Sequence, residues 1–311
     1  MMNSLNFLRR NCQKIHVKIL TFGALCCIIY MVNYLEEVPR IIRIVISDAD
    51  GTLVSNSKLI DVRAFSRMIT ALGTRGIPMC IASGRSYPAL RTLFAPYADK
   101  LLYFPLDGAL AVADGKLLCG FPMDAASVID SLGLLSDPRV RGIALCTQDH
   151  SCLYACDAAL AASEQKRIGD ELKVLYTPGQ TAPLLPPNEP IYKIIVFTKK
   201  SSDPITPPVG LRAVYQSDIV TELIREDVNK RRAAEIVCDA LHITPDEILA
   251  YGDSENDREL LSWAGTAVTM YGAKHDLFSI TKYHTQNVAE SVIRFLHDGD
   301  ATQNRRGVTH G

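Results

Sequence analysis

Short apolar runs alternate with amphipathic segments along the chain from residue 41 onwards. The run 41–46 (IIRIVI) is rich in β-branched residues and leads into a polar loop, which is typical of a buried strand. Segment 61–73 places its apolar residues at helical spacing, and 77–82 (IPMCIA) predicts a second strand. Because strand, helix and strand follow in this order, we predict a βαβ unit whose parallel strands end at one edge of a sheet.

This alternation continues on both sides of a less regular middle segment. The pattern predicts a strand at 101–104, a hairpin at 111–121, a helix at 231–241, strands at 248–251 and 266–270, and a closing helix at 288–296. In the middle it predicts strands at 132–135, 143–146, 153–155 and 191–197 and a helix at 158–172. Together these elements predict an α/β protein.

The first 40 residues differ from the rest of the chain. Residues 19–35 are almost all apolar, and four basic residues precede them. Such a run lies at the short end of the roughly 17–25 residues that span a membrane. We therefore predict that residues 1–40 are a membrane anchor, or an extension that is not translated when synthesis starts at Met31; a surface-packed helix is a third interpretation. We expect a cytoplasmic protein, with anchoring through 19–35 as the alternative.

Composition narrows the kinds of partner. The 311 residues include 33 Lys and Arg against 34 Asp and Glu, so nothing in the net charge of −1 favours a nucleic acid. The partner is expected to be a small molecule. The nine cysteines are scattered and show no zinc-like spacing, which favours free buried thiols in a reducing compartment.

The strongest chemical signal is the loop Asp48-Ala49-Asp50-Gly51-Thr52, which follows the first predicted strand. Two carboxylates on such a loop can face one site, where one can attack phosphorus while the other handles a proton. Gly51 permits the backbone bend beyond them. An ordinary Asp-Gly turn is the alternative interpretation of these residues alone.

Matching groups follow other predicted core segments. Ser83 and the Gly84 amide can hold phosphoryl oxygens, and Lys230 can offset their charge. Asp253 and Asp257 add carboxylates suited to a hard cation such as Mg²⁺. Each residue taken singly also fits a helix cap or a surface charge, but their joint occurrence favours a phosphate site.

These motifs resemble those of the haloacid dehalogenase-like (HAD) superfamily, in particular its Cof-type phosphatases. The resemblance covers about residues 41–296 and rests on four motifs in order: ISDADGTL, IASGR, VNK and GDSENDRELL. It implies a Rossmann-like core, a parallel sheet with helices on both faces, at 41–120 and 219–298. It also implies an α/β cap domain inserted at 121–218. Residues 299–311 are expected to be a flexible tail.

The resemblance also implies roles for the matched residues. Asp48 would become an aspartyl phosphate, and Asp50 would protonate the leaving oxygen and then activate water. Ser83 and Lys230 would bind the phosphoryl group. Mg²⁺ would be held by Asp48, the Asp50 carbonyl and Asp253, with support from Asp257. Further supporting residues in the motifs are Thr52, Arg85 and Asn256.

Two features bear on the reaction that the family resemblance implies. Asp107 stands where the family usually has Asn, which could alter hydrogen bonds near the site. Asp50 is an acid that phosphatases of the superfamily keep, so a phosphate ester is the expected substrate, such as a sugar phosphate or a phosphorylated cofactor. A sugar phosphomutase is the alternative enzyme, and an inactive membrane-tethered binding protein is the third hypothesis. The oligomeric state is not predicted.

Overall fold

Two β-sheets organise the described part of the chain. The computed structural model of the protein describes residues 41–54, 60–176, 188–200, 203–273 and 275–307, and residues Ile41–Ala301 form one compact unit. None of the helices within these ranges has the length and apolar character needed to cross a membrane. The predicted segment 1–40, with its apolar run 19–35, lies outside the described residues.

The larger sheet is formed by eight strands: β1 (Ile44–Asp48), β2 (Met79–Ala82), β3 (Leu101–Phe104), β4 (Leu110–Ala113), β5 (Lys116–Gly120), β12 (Ile248–Gly252), β13 (Thr266–Met270) and β14 (Tyr283–Thr285). Their spatial order is β14-β13-β12-β1-β2-β3-β4-β5. Strands from β14 to β3 are parallel to their neighbours, whereas β3, β4 and β5 form an antiparallel edge.

The smaller sheet contains the other strands: β6 (Val140–Cys146), β7 (Ser151–Ala155), β8 (Leu172–Tyr176), β9 (Lys193–Thr198), β10 (Leu211–Gln216) and β11 (Val220–Arg225). Their order is β10-β11-β9-β6-β7-β8. All neighbouring pairs are antiparallel except β7 and β8. Together the two sheets confirm the predicted α/β class.

The α-helices of the described residues are α1 (Val62–Gly73), α2 (Tyr87–Leu93), α3 (Ala125–Gly133), α4 (Ala158–Ile168), α5 (Lys230–Ala240), α6 (Arg258–Trp263) and α7 (Val288–Gly307). Neighbouring residues of a strand point to opposite faces of the sheet, and helices pack against both faces of the larger sheet. Val45 packs in one apolar cluster with Phe65 of α1, whereas Ile46 packs in another with Ala233 and Val237 of α5.

One predicted element of the middle segment is wrong, and one predicted helix ends earlier than expected. Segment 132–135 was predicted as a strand, but it contains the end of α3 and a 3₁₀ turn, Leu134–Ser136. The α3 helix begins where the Asp124 carboxylate accepts a hydrogen bond from the Ser127 amide (2.8 Å). The helix predicted at 158–172 ends at Ile168, because Gly169 adopts a positive φ of 70° and Leu172 begins β8.

Two predicted boundaries also differ from the observed elements. The core was expected to resume at residue 219, yet Val220–Arg225 pairs with β9 and β10 in the smaller sheet. The closing helix does not end at Leu296 but continues to Gly307, into the segment predicted to be a flexible tail.

The register of the larger sheet brings the predicted motif loops to one edge. Asp48, the last residue of β1, lies opposite Ala82, the last residue of β2. On the other side of β1, Ser47 lies opposite Tyr251 of β12. Parallel strands therefore deliver the loops that follow Asp48, Ala82 and Gly252 to the same end of the sheet.

Candidate active site

Asp48 and Lys230 form a buried ion pair at this edge. Lys230 begins α5, which Asn229 caps by accepting a hydrogen bond from the Arg232 amide (3.0 Å). The Lys230 ammonium donates to Asp48 Oδ1 and to Asp257 Oδ1, each at 2.6 Å. All three side chains are buried, so one cation lies between two carboxylates in a site with little water.

Burial and the charge of the paired residue act in opposite directions on the pKa values of this pair. Burial raises the pKa of Asp48 well above its ordinary value, although the Lys230 charge opposes this effect. Burial alone would lower the pKa of Lys230, but the nearby charges of Asp257 and Asp48 outweigh it and raise that pKa. Lys230 therefore stays charged, and further positive charge beside Asp48 would favour the ionised form of this carboxyl.

The loop after β12 places two more carboxylates beside Asp48. Asp257 accepts hydrogen bonds through Oδ2 from the backbone amides of Asp253 and Ser254, both at 3.0 Å. The Thr52 hydroxyl donates to Asp253 Oδ1 (3.2 Å). Because both Asp257 oxygens accept hydrogen bonds from protein groups, this side chain fixes the loop that presents Asp253.

The three aspartates form an acidic cluster that fits a divalent cation. Carboxylate oxygens of Asp48, Asp253 and Asp257 lie within 4.8 Å of one another, and oxygen donors of this kind suit Mg²⁺. Among the described residues, Lys230 is the one cation with hydrogen bonds to the cluster, so three carboxyl groups there face a single positive charge. Burial and the Asp257 charge accordingly raise the pKa of Asp253. The donor set therefore supports a metal site.

Gly51 allows the loop after β1 to approach this cluster. Its φ is +83°, and an added Cβ atom would lie 2.2 Å from Asp253 Oδ2. A side chain at this position would therefore overlap the carboxylate. Gly51 thus allows both the turn after β1 and the close approach of this loop to the loop after β12.

Asp50 lies at the outer side of the site, where its carboxylate forms a two-point ion pair with Arg85. The two N···O distances are both 2.6 Å, and the Asp50 side chain is 50% exposed. The hydrogen bonds to Asp50 raise the pKa of Arg85. The Asp50 carboxylate is thus held by Arg85 at a solvent-accessible position.

Ser83 and Gly84 follow β2 and form the adjoining turn. Ser83 is buried, and its hydroxyl accepts a hydrogen bond from the Arg85 amide (3.2 Å). The Asp107 amide donates to the Ser83 carbonyl (2.9 Å), which joins this turn to the loop after β3. The residues predicted from the motifs thus lie together at this edge of the larger sheet, at strand ends, in loops and at the start of α5.

A second buried charge network adjoins the turn and was missed by the sequence analysis. Lys193, the first residue of β9, donates to Asp107 Oδ2 (2.8 Å) and pairs with Glu222. Asn256, predicted to be a supporting residue, donates to Asp107 Oδ1 (2.9 Å). The available signal was a lysine at the start of the apolar strand KIIVFT, where a charge needs a partner.

Gly108 sets the distance between the loop after β3 and the start of α5. Its φ is +84°, and an added Cβ would lie 2.3 Å from the Asn229 carbonyl oxygen and 2.8 Å from Lys230 Cα. A side chain here would push Lys230 away from Asp48.

We expect Gly108→Ala to lower the free energy of unfolding by about 1–3 kcal/mol, because alanine disfavours this backbone conformation and overlaps Asn229. Urea unfolding measures the change. Gly133→Ala is the matched control, since Gly133 lies in α3 with open space around its Cα, and it should be neutral or slightly stabilising. Equal losses in the two variants would contradict the role of Gly108.

Comparisons with known proteins identify the family of this chain. The family model described as haloacid dehalogenase-like hydrolase matches residues 45–296. A phosphoglycolate phosphatase of Methanothermobacter thermautotrophicus is 34% identical over 88 residues, which cover 27% of this chain and 40% of that protein. The chain thus spans less than half the length of that relative.

Two longer matches cover most of both chains. The 5-amino-6-(5-phospho-D-ribitylamino)uracil phosphatase YbjI of Escherichia coli is 25% identical over 267 residues, covering 81% of this chain and 94% of the relative. A crystal structure from Eubacterium rectale shares the fold with a TM-score of 0.72 at 23% identity, covering 82% of this chain and 99% of that one. The superfamily predicted from the four motifs is confirmed, and the chain belongs to the haloacid dehalogenase-like hydrolases.

Proposed function

We propose that the protein is a phosphatase that hydrolyses small phosphate monoesters with Asp48 as the nucleophile. The observation that carries this proposal is the buried contact of Asp48 with Lys230 beside the carboxylates of Asp253 and Asp257. Lys230 offsets negative charge next to the attacking group, which is the charge that grows in phosphoryl transfer. The phosphatase names of the relatives in Methanothermobacter thermautotrophicus and Escherichia coli support the same reaction class.

The reaction would proceed in two steps. In the first, an Asp48 oxygen bonds to phosphorus, the bond to the leaving oxygen breaks, and Asp50 gives that oxygen its proton. In the second, Asp50 takes a proton from water, the water oxygen attacks phosphorus, and the bond to Asp48 breaks. Free phosphate and an unchanged Asp48 carboxylate result, with Asp50 protonated again.

Other side chains would bind the phosphoryl group during these steps. Lys230 and the Ser83 hydroxyl supply positive charge and a hydrogen-bond donor, and the Gly84 amide supplies another donor. The Asp50 side chain is half exposed, and this access supports its role as the acid that meets the leaving group.

The acidic cluster would hold Mg²⁺ through Asp48, Asp253 and the Asp50 carbonyl, while Asp257 positions Asp253 and Lys230. When bound, the cation supplies positive charge that stabilises the phosphoryl oxygens and the ionised Asp48. The fit rests on the three oxygen donors within 4.8 Å and on their excess negative charge.

The smaller sheet would be the cap that selects the substrate. We propose a division in which the cap ends after β11, at about residue 225, because that strand pairs within the smaller sheet. A sugar phosphate or a phosphorylated cofactor is the proposed substrate class, and the phosphorylated ribityl compound in the name of the Escherichia coli relative is of this kind.

A phosphate-release screen tests the proposed function. The protein is incubated with Mg²⁺ and either p-nitrophenyl phosphate or a panel of sugar and cofactor phosphates, and free phosphate is measured. We expect release from the generic ester and faster release from one class of the panel. Isomerisation of a sugar phosphate without release would identify a phosphomutase instead, and no reaction with any ester would contradict the proposal.

Binding of Mg²⁺ is expected to stabilise the wild-type protein but not an Asp253→Asn variant. A cation at 100 times its Kd adds about 2.7 kcal/mol to the free energy of unfolding. Without metal the variant should be at least as stable as the wild type, because the raised pKa of Asp253 marks an ionised form that burial disfavours. Thermal unfolding with and without Mg²⁺ measures both effects.

Asp130→Asn is the control for this metal experiment, because Asp130 is an exposed carboxylate on α3. It should keep the full Mg²⁺ stabilisation. An Asp253→Asn protein that gains as much stability from Mg²⁺ as this control would contradict the assignment of Asp253 to the metal.

A further inference from the structure

Lys193 brings a buried positive charge from the smaller sheet to the loops of the larger sheet. Its side chain is 1% exposed. The ammonium donates to the Gly84 carbonyl (3.1 Å) and to Asp107 Oδ2 (2.8 Å), and it also pairs with Glu222 of β11. Lys193 has no role in the proposed two-step reaction.

Lys193 and Asp107 both stay ionised although they are buried, because each lies beside opposite charge. Burial by itself would lower the pKa of Lys193, but Asp107 and Glu222 outweigh it and raise that pKa. Burial likewise opposes ionisation of Asp107, yet Lys193 and Lys230 hold the pKa of this carboxyl below its ordinary value. Removing either Lys193 or Asp107 would leave the other as a buried charge without this ion-pair partner.

The partners of Lys193 are the groups that shape the phosphate-binding turn. Gly84 bonds to Lys193 directly through its carbonyl, and Ser83 is linked to the same ammonium through Asp107, whose amide donates to the Ser83 carbonyl. Packing is tight, because a Cβ atom on Gly84 would lie 3.3 Å from both Asp107 carboxylate oxygens and 3.5 Å from Lys193 Nζ. Movement of Lys193 would therefore move the turn.

We propose that Lys193 is a positioning residue that fixes the Ser83–Gly84 turn for phosphate binding from the smaller sheet. The ammonium orients the Gly84 peptide by binding its carbonyl, and it anchors Asp107 against Ser83. This inference rests on the proposed function, since it assumes that the turn binds phosphate. It makes the phosphate site dependent on contact between the two sheets.

The test compares Asp107→Asn with the double variant Asp107→Asn/Lys193→Met. Loss of Lys193 alone would leave Asp107 as a buried unpaired anion, which could unfold the protein for reasons unrelated to phosphate. With residue 107 neutral in both variants, the comparison removes the Lys193 bond to the Gly84 carbonyl without leaving a buried anion at residue 107. The change also removes the pair with Glu222, whose side chain is 27% exposed and can be hydrated instead. Inorganic phosphate binding with Mg²⁺ is measured by calorimetry, and KM and kcat are measured with p-nitrophenyl phosphate.

We expect phosphate affinity to fall about 10- to 100-fold from the single to the double variant, as for other groups that orient a binding site. KM should rise by a similar factor, with a smaller change in kcat. Lys199 is an exposed lysine directly after β9 and provides the control, because Lys199→Met should bind phosphate like the wild type.

Equal phosphate affinities in the two variants would overturn the inference, as would a double variant that fails to fold, because Lys193 would then be a structural residue only. An effect confined to kcat would overturn it as well. Phosphate binding without turnover by the wild type would refute the phosphatase while leaving this inference intact. A wild type that binds no phosphate would refute both.

Discussion

An Asp48→Asn variant is expected to lose phosphate release by about 10⁴-fold or more while remaining folded. Asparagine has the shape of aspartate but cannot form the bond to phosphorus under these conditions. The fold should tolerate the change, because burial already disfavours the ionised Asp48 and Lys230 keeps Asp257 as a partner. Phosphate release measures the activity, and thermal unfolding measures the stability.

The exposed Asp130→Asn variant is the matched control for this substitution and should retain full activity. Two results would contradict the role of Asp48. One is release near the wild-type rate in Asp48→Asn, and the other is a loss of activity that is fully accounted for by unfolding of the variant.

Lys230→Met is expected to abolish phosphate release and to destabilise the fold by about 3–5 kcal/mol. Methionine keeps most of the apolar volume but leaves the carboxylates of Asp48 and Asp257 buried without their shared cation. Removing one partner of a buried ion pair carries a cost of this size. Urea unfolding in the absence of metal measures the change in stability.

The loss of stability in Lys230→Met should depend on pH. The pKa of Asp48 is already raised in the wild type, and removal of the lysine raises it further. A raised carboxyl pKa means that stability is present at low pH and is lost as the pH rises through the folded-state value. The difference between variant and wild type should therefore be smaller at acidic pH than at neutral pH.

Lys166→Met is the control for Lys230→Met, because Lys166 is an exposed residue of α4. It should change neither the stability nor the rate. A Lys230→Met protein as stable as this control would show that the contacts of Lys230 contribute little to the fold.

The larger sheet and its loops could be predicted from the sequence because its central buried strands lead directly into the polar residues of the site. β1, β2 and β12 are buried on both faces and consist mostly of apolar residues. Polar motif residues lie at the end of β1 (Asp48) and directly after β2 (Ser83) and β12 (Asp253). Strand ends and site residues were thus marked by the same change from apolar to polar sequence.

The smaller sheet was harder to predict because its edge strand β10 and the neighbouring β11 are only partly buried. β10 (LRAVYQ) and β11 (VTELIR) mix apolar with polar and charged residues, and several of their side chains are half-buried or exposed. Their pairing joins segments distant from β6 in the chain, which local periodicity cannot reveal. The predicted boundary at residue 219 therefore fell just before β11 instead of after it.

Lys193 shows a further limit of sequence reasoning. Its partners Gly84, Asp107 and Glu222 come from three other segments of the chain. A lysine at the start of a buried strand indicates that a partner exists, but it does not say which carboxylate that partner is. The departure at Asp107 and the lysine were both visible in the sequence, and the structure connects them.

An Asp50→Asn variant with p-nitrophenyl phosphate tests the central claim most directly. This leaving group needs no proton, so the first step should proceed without the acid, whereas the second step lacks its base. We predict a burst of p-nitrophenolate stoichiometric with protein, after which turnover nearly stops. Borohydride reduction of the quenched protein should then convert residue 48 to homoserine, as peptide mass spectrometry would show. Steady hydrolysis by this variant with Asp48 unmodified would contradict the mechanism.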